Sequence, residues 1–89
     1  MPLYFFDTRD NDHTIVDDVG VEFPDLEAVK VEAAKALTEL ARDVIPGHLK
    51  RELAVDVRDE DGPVLTAKMT FEAVILRPSL ARRDPVSHL

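Results

Sequence analysis

The sequence contains no cysteine and no tryptophan, and only three of its 89 residues are glycine. Without cysteine there is no disulfide framework, thiolate nucleophile, Cys-ligated zinc or iron–sulfur site, so a domain this small must be held together by packing or by a partner. Gly20, Gly47 and Gly62 stand apart from one another, which excludes the glycine-rich loops that cradle phosphates. Serine occurs only at Ser79 and Ser87, leaving no setting for a Ser-His-Asp hydrolase. His13, His48 and His88 have no neighbour at metal or triad spacing. No apolar run approaches the ~20 residues that span a bilayer, and Met1-Pro2-Leu3-Tyr4 does not open a basic-then-apolar leader. Arg77, Arg82 and Arg83 are too sparse for a polybasic anchor. We therefore expect a cytoplasmic protein with no membrane partner.

What the chain does have is acid. Eighteen Asp and Glu face eleven Lys and Arg, for a net charge of −7, and the whole of that excess equals the −7 of residues 1–27. Phosphate-backbone affinity comes from counterions displaced by Lys and Arg, so this balance argues against a nucleic-acid partner. It suits a solvated surface or a basic protein partner. Eighty-nine residues, 45% of them hydrophobic, suffice for one core. We expect one α+β domain over residues 1–76 and a flexible C-terminal tail over 77–89, where Pro78 and Pro85 interrupt a stretch without period.

Leu3-Tyr4-Phe5-Phe6 reads as a first strand, with Tyr4 and Phe6 on one face and Leu3 and Phe5 on the other. The turn formers Asp7 to Asp12 then lead to a short second strand, Thr14-Ile15-Val16. From Leu26 the period changes: Leu26, Val29, Ala33, Leu37, Leu40 and Val44 line one helical face, the strongest element in the chain. Either Asp25 caps this helix or Pro24 opens it, and Pro46-Gly47 ends it, giving a span of about 25–44 and roughly 30 Å. Leu53 to Asp59 alternates as a strand, Asp59-Glu60-Asp61-Gly62-Pro63 turns, and Val64 to Leu76 returns with Leu65, Ala67, Met69, Phe71, Ala73 and Ile75 on one side. The order β-β-α-β-β, with one amphipathic helix laid on a small antiparallel sheet, predicts a two-layer α+β sandwich. One helix cannot cover Leu3, Phe5 and Val74 if they lie on the far face, so a homodimer through that face or an edge strand is the natural remedy.

The densest carboxylates, Asp7, Asp10, Asp12, Asp17 and Asp18, invite comparison with a calcium loop. Ile15 stands where an EF-hand requires Gly, and Val21 where it requires the closing Glu, so solvated turn chemistry is the better reading. Asp59, Glu60 and Asp61 read as turn formers and edge protection. Tyr4-Phe5-Phe6 reads as core rather than a base-stacking platform, because Arg9 is the only basic residue nearby. We assign no catalytic, cofactor-binding or metal residues, no cofactor and no enzymatic activity.

Tyr4-Phe5-Phe6-Asp7, the stretch Asp17-Asp18-Val19-Gly20-Val21-Glu22-Phe23-Pro24-Asp25-Leu26-Glu27-Ala28, the Ala-rich helix and Val57-Arg58-Asp59-Glu60-Asp61-Gly62 together resemble a family of short bacterial proteins catalogued as a domain of unknown function, over about residues 3–76. The resemblance brings no assigned catalytic residue. Phe23-Pro24-Asp25-Leu26 and the element order are also similar to antitoxins of the HicB type, which would imply an inhibitor with its carboxylates against a basic ribonuclease; no C-terminal DNA-binding extension accompanies that likeness. The leading expectation is a non-enzymatic, self-associating interaction module. The alternatives are an antitoxin-like inhibitor of a basic nuclease and a small metal-dependent enzyme.

Overall fold

A computed structural model describes residues 2–77; all of the expected tail except Arg77 lies outside the described residues. The elements are β1 (Leu3–Asp10), β2 (His13–Ile15), β3 (Val21–Glu22), α1 (Leu26–Val44), β4 (Lys50–Asp59) and β5 (Gly62–Glu72). The strands form one antiparallel sheet in the order β2-β1-β4-β5, with β3 also paired to β1. One helix lies on one face of this sheet, across β4 and β5 and to a lesser extent β1, which is the expected α+β sandwich with one extra short strand.

The core follows the two periods in the sequence. Val29, Ala33, Leu37 and Ala41, each four residues from the next, are buried against Tyr4 of β1 and against Leu53, Val55 and Val57, which alternate along β4. Phe23 packs edge-on against Phe6, ring centroids 5.7 Å apart, and leads the chain from β3 into the helix. Asp25 is the cap: its side chain accepts from the Ala28 N–H at 2.9 Å.

Three expectations need correction. Asp7, Thr8, Arg9 and Asp10 are not turn but strand, because β4 pairs with β1 from Phe5 through Asp10. The turn narrows to Asn11-Asp12, where Asn11 takes a positive φ of 55° while its side-chain oxygen accepts from the Glu52 N–H and its own N–H donates to the Glu52 carbonyl. Leu26 is 53% exposed, so the buried stripe starts one turn later, at Val29. Finally, the return strand stops at Glu72, where β4 runs out of partners at Lys50, and Val74, Ile75 and Leu76 lie exposed beyond it.

Candidate functional site

The far face of the sheet, away from the helix, carries the densest ordered chemistry. Antiparallel pairing sets Asp7 of β1 opposite Asp56 of β4, two carboxylates that would repel if left alone. Each strand also carries an arginine two residues on, Arg9 and Arg58, on the same face. Arg9 forks onto Asp56, Nε to Oδ2 at 3.0 Å and Nη2 to Oδ1 at 3.1 Å, and Thr66 of β5 donates to the same carboxylate at 2.9 Å. Arg58 Nε reaches Asp7 Oδ2 at 3.0 Å while its guanidinium lies over the Phe5 ring, 4.5 Å from the centroid. Phe5 thus finds its cover within the chain, half-buried under Arg58, rather than needing a partner as the sequence suggested; Leu3 stays 43% exposed.

Asp17 joins this network from the loop between β2 and β3. The outward N–H groups of β1 meet β3 at Tyr4 and β2 at Thr8, but at Phe6 there is no strand. The Asp17 carboxylate stands in for one: Oδ2 accepts from the Phe6 N–H at 3.0 Å, and Oδ1 accepts from the Val19 and Gly20 N–H groups at 3.0 and 3.2 Å. In return the Asp17 N–H donates to Asp7 Oδ1 at 2.9 Å, and Arg58 Nη2 donates to the Asp17 carbonyl at 2.8 Å. Asp7 and Asp17, expected as solvated turn residues, are instead the two carboxylates that fasten the loop to the sheet. A legible signal was present: Asp7-Thr8-Arg9 and Asp56-Val57-Arg58 repeat one Asp-x-Arg pattern on two pairing strands.

The hydrogen bond from Phe6, aided by those from Val19 and Gly20 and by the charge of Arg58, holds the Asp17 carboxyl below the ordinary aspartate value of 3.8, against the opposing effect of burial. Arg9, then Thr66, does the same for Asp56. A carboxyl lowered in the folded state contributes stability above its unfolded value that is lost as the pH falls through the folded one. We therefore expect the urea midpoint to be flat from neutral pH to about 5 and to drop steadily below 4. In the Asp17→Asn and Asp56→Asn variants the drop should shrink, and an unchanged acid limb in both would contradict the assignment.

The remaining charged groups are less ordered. Arg51 Nε approaches Asp10 Oδ1 to 3.4 Å, a charge pair without hydrogen-bonding geometry that leaves both atoms buried and otherwise unpartnered. His48 Nε2 lies 3.4 Å from Arg51 Nη2, and His13 lines a shallow depression with Ile15, Leu40 and Val44. Asp12 and Asp18 are exposed, as are Glu60 and Asp61, which border a cleft with Pro2, Leu3 and Phe5. Among the described residues no three acidic or histidine side chains converge as metal ligands, and no helix is long and apolar enough to cross a membrane.

Residues 3–70 match the family model described as Domain of unknown function (DUF6894), close to the span over which the sequence motifs resemble such a family. The likeness to HicB-type antitoxins is not shown. No curated protein and no solved structure gives a match.

Proposed function

We propose that the chain, which belongs to the DUF6894 family, is a non-enzymatic protein-interaction module that self-associates. The inequality of the sheet's two edges carries this reading. The outer side of β1 is closed along its length by β3, the Asp17 carboxylate and β2. Among the described residues nothing pairs with the outer side of β5, eleven residues long. An open strand of that length presents a ladder of unmet N–H and C=O groups, the template on which strand addition works. Leu65, Met69 and Phe71 along it are only half-buried, so a further strand would also cover apolar surface.

The non-enzymatic part rests on how the carboxylates are spent. Asp7, Asp17 and Asp56 have their oxygens occupied by arginines or backbone N–H groups, and those contacts hold Asp17 and Asp56 below the ordinary aspartate value, ionised rather than poised to exchange a proton. A second reading, an antitoxin-like inhibitor of a basic nuclease, finds support in the exposed Glu60 and Asp61, which border a cleft with Leu3 and Phe5. The edge of β5 is the larger and more continuous feature. Sedimentation equilibrium over a dilution series from near-millimolar to low micromolar protein tests the self-association: the weight-average mass should climb from that of one chain toward twice that value. A mass that stays at 10.0 kDa at the highest concentration would overturn the reading.

A further inference from the structure

We infer that the partner at the β5 edge is a second copy of this chain, its β5 antiparallel to the first and the two-fold axis passing at Thr70, so that Lys68 of each copy lies opposite Glu72 of the other. This rests on the self-association proposed above and specifies its register.

The phase of the ladder limits the choices. The Ala73 N–H donates to the Leu49 carbonyl at 2.7 Å, one step beyond the Lys50–Glu72 pair, so the odd-numbered residues from Leu65 to Ala73 turn their backbone groups inward to β4. The even-numbered residues, Thr66, Lys68, Thr70 and Glu72, turn theirs to the open side. A symmetric antiparallel pair must therefore set even against even, which leaves only axes that pass at a residue. An axis at Lys68 opposes two lysines and one at Glu72 opposes two glutamates. Axes at Ala67, Met69 or Phe71 leave both charges without a counter-charge directly across. Only the axis at Thr70 pairs Lys68 with Glu72, twice by symmetry.

The same register sorts the apolar side chains. On the helix side, Met69 meets Phe71, Ala67 meets Ala73 and Leu65 meets Ile75, with no polar residue opposed to an apolar one. It also gives a role to the residues beyond β5: Val74 and Ile75, 68% and 43% exposed, continue the strand along the partner's Thr66 and Leu65. Among the described residues of one chain that stretch has no strand to lie on, because β4 starts at Lys50.

The helices agree with this arrangement. A two-fold axis perpendicular to the sheet puts both copies of α1 on one face. Each lies across β4 and β5, so their axes would be about two strand spacings, or about 10 Å, apart at the seam, within the range at which helices pack. Leu40 lies beside β1 and β2. By helical spacing the other side of the buried stripe, toward β5, carries Ala34 and Thr38, both exposed and short enough for close approach.

Charge reversal tests the register in the full-length protein. Lys68→Glu sets carboxylate against carboxylate at both pairs and Glu72→Lys sets ammonium against ammonium, so each variant alone should dimerise about tenfold or more weakly than the wild type at low salt. An equimolar mixture of the two variants restores opposite charges at both pairs and should recover a heterodimer of near wild-type affinity, read by sedimentation with one variant fluorescently labelled. Recovery on mixing also shows that both variants are folded. Wild-type dimers that both variants leave unweakened, or weakened variants whose mixture recovers nothing, would overturn the register while leaving self-association standing. A wild-type chain that remains monomeric overturns both.

Discussion

Asp17→Asn should destabilise the fold by about 2–3 kcal/mol, although it changes one oxygen for one nitrogen. Both carboxylate oxygens accept backbone N–H groups, Phe6 on one side and Val19 with Gly20 on the other. An amide has only one acceptor oxygen, so whichever way it turns, its NH₂ points at an N–H and at least one hydrogen bond to a charged group is replaced by opposed donors. The loss spreads, because Asp7 and Arg58 hold the same loop through the Asp17 N–H and carbonyl. Asp18→Asn is the matched control: Asp18 is exposed, and its replacement should fall within about 0.5 kcal/mol of wild type. Urea unfolding of the two variants gives the comparison, and native-state hydrogen exchange should show faster exchange at Phe6, Val19 and Gly20 in Asp17→Asn. Equal stability of the two variants would mean that the loop is not fastened through this carboxylate.

The elements that depend on one period were legible in the sequence, and those that depend on pairing between distant strands were not. The helix is the clearest case. Its stripe, its start at Pro24-Asp25 and its end before Pro46 are local facts; the structure chooses Asp25 as the cap, leaves Leu26 beyond what the sheet covers, and buries Ala41 with Leu40 and Val44 only partly covered. The β4–β5 hairpin was equally plain, because Asp-Gly between two alternating runs is a local signal. Asp7 to Asp10 failed for a physical reason. Asp and Asn are turn formers when their side chains have only their own backbone to bond, and here Asp7 finds Arg58, fifty-one residues away, so a polar run becomes strand by cross-strand charge pairing. Asp17 reads as a turn residue because a carboxylate that replaces a missing strand leaves no periodic mark. The candidate docking edge is partly visible, since the apolar run past Glu72 stands out in the sequence, but which backbone groups point outward depends on the ladder phase and not on composition.

On the proposed pairing, the two edges of the sheet divide the work: one is closed to general aggregation and the other is open to a second copy. On β1 the gap between β2 and β3 is plugged by a charged group that no incoming strand can displace without leaving an unpaired carboxylate. On β5 the guards are lighter. Pro63 removes a donor near the start of the strand, and Lys68 discourages any strand that does not bring an acid to meet it. In the proposed register Lys68 is both a guard and half of a self-complementary pair with Glu72, an arrangement that would exclude strangers and admit copies.

Gly20→Val tests the same fastening from its packing side and should cost about 3 kcal/mol. Gly20 has φ of +78°, a region that a β-branched residue adopts only under strain. The position is also crowded: a Cβ there would lie 2.9 Å from Phe5 Cε2 and 3.1 Å from Leu3 Cγ. The Phe5 ring also stacks with the Arg58 guanidinium, so a shift of the ring disturbs that contact and the geometry by which Arg58 reaches both Asp7 and the Asp17 carbonyl. Gly47→Ala separates the two contributions, since Gly47 has φ of +93° with nothing within 4 Å of its would-be Cβ and should lose only about 1 kcal/mol for the backbone conformation. Gly20→Ala should lose roughly twice that, and part of the excess should return when Phe5→Ala opens the space. The double-mutant cycle, read by denaturant midpoints at neutral pH, then reports the Gly20–Phe5 contact directly. Additive losses across the cycle would show that the loop tolerates a methyl group against the ring and that Asp17 alone holds it in place.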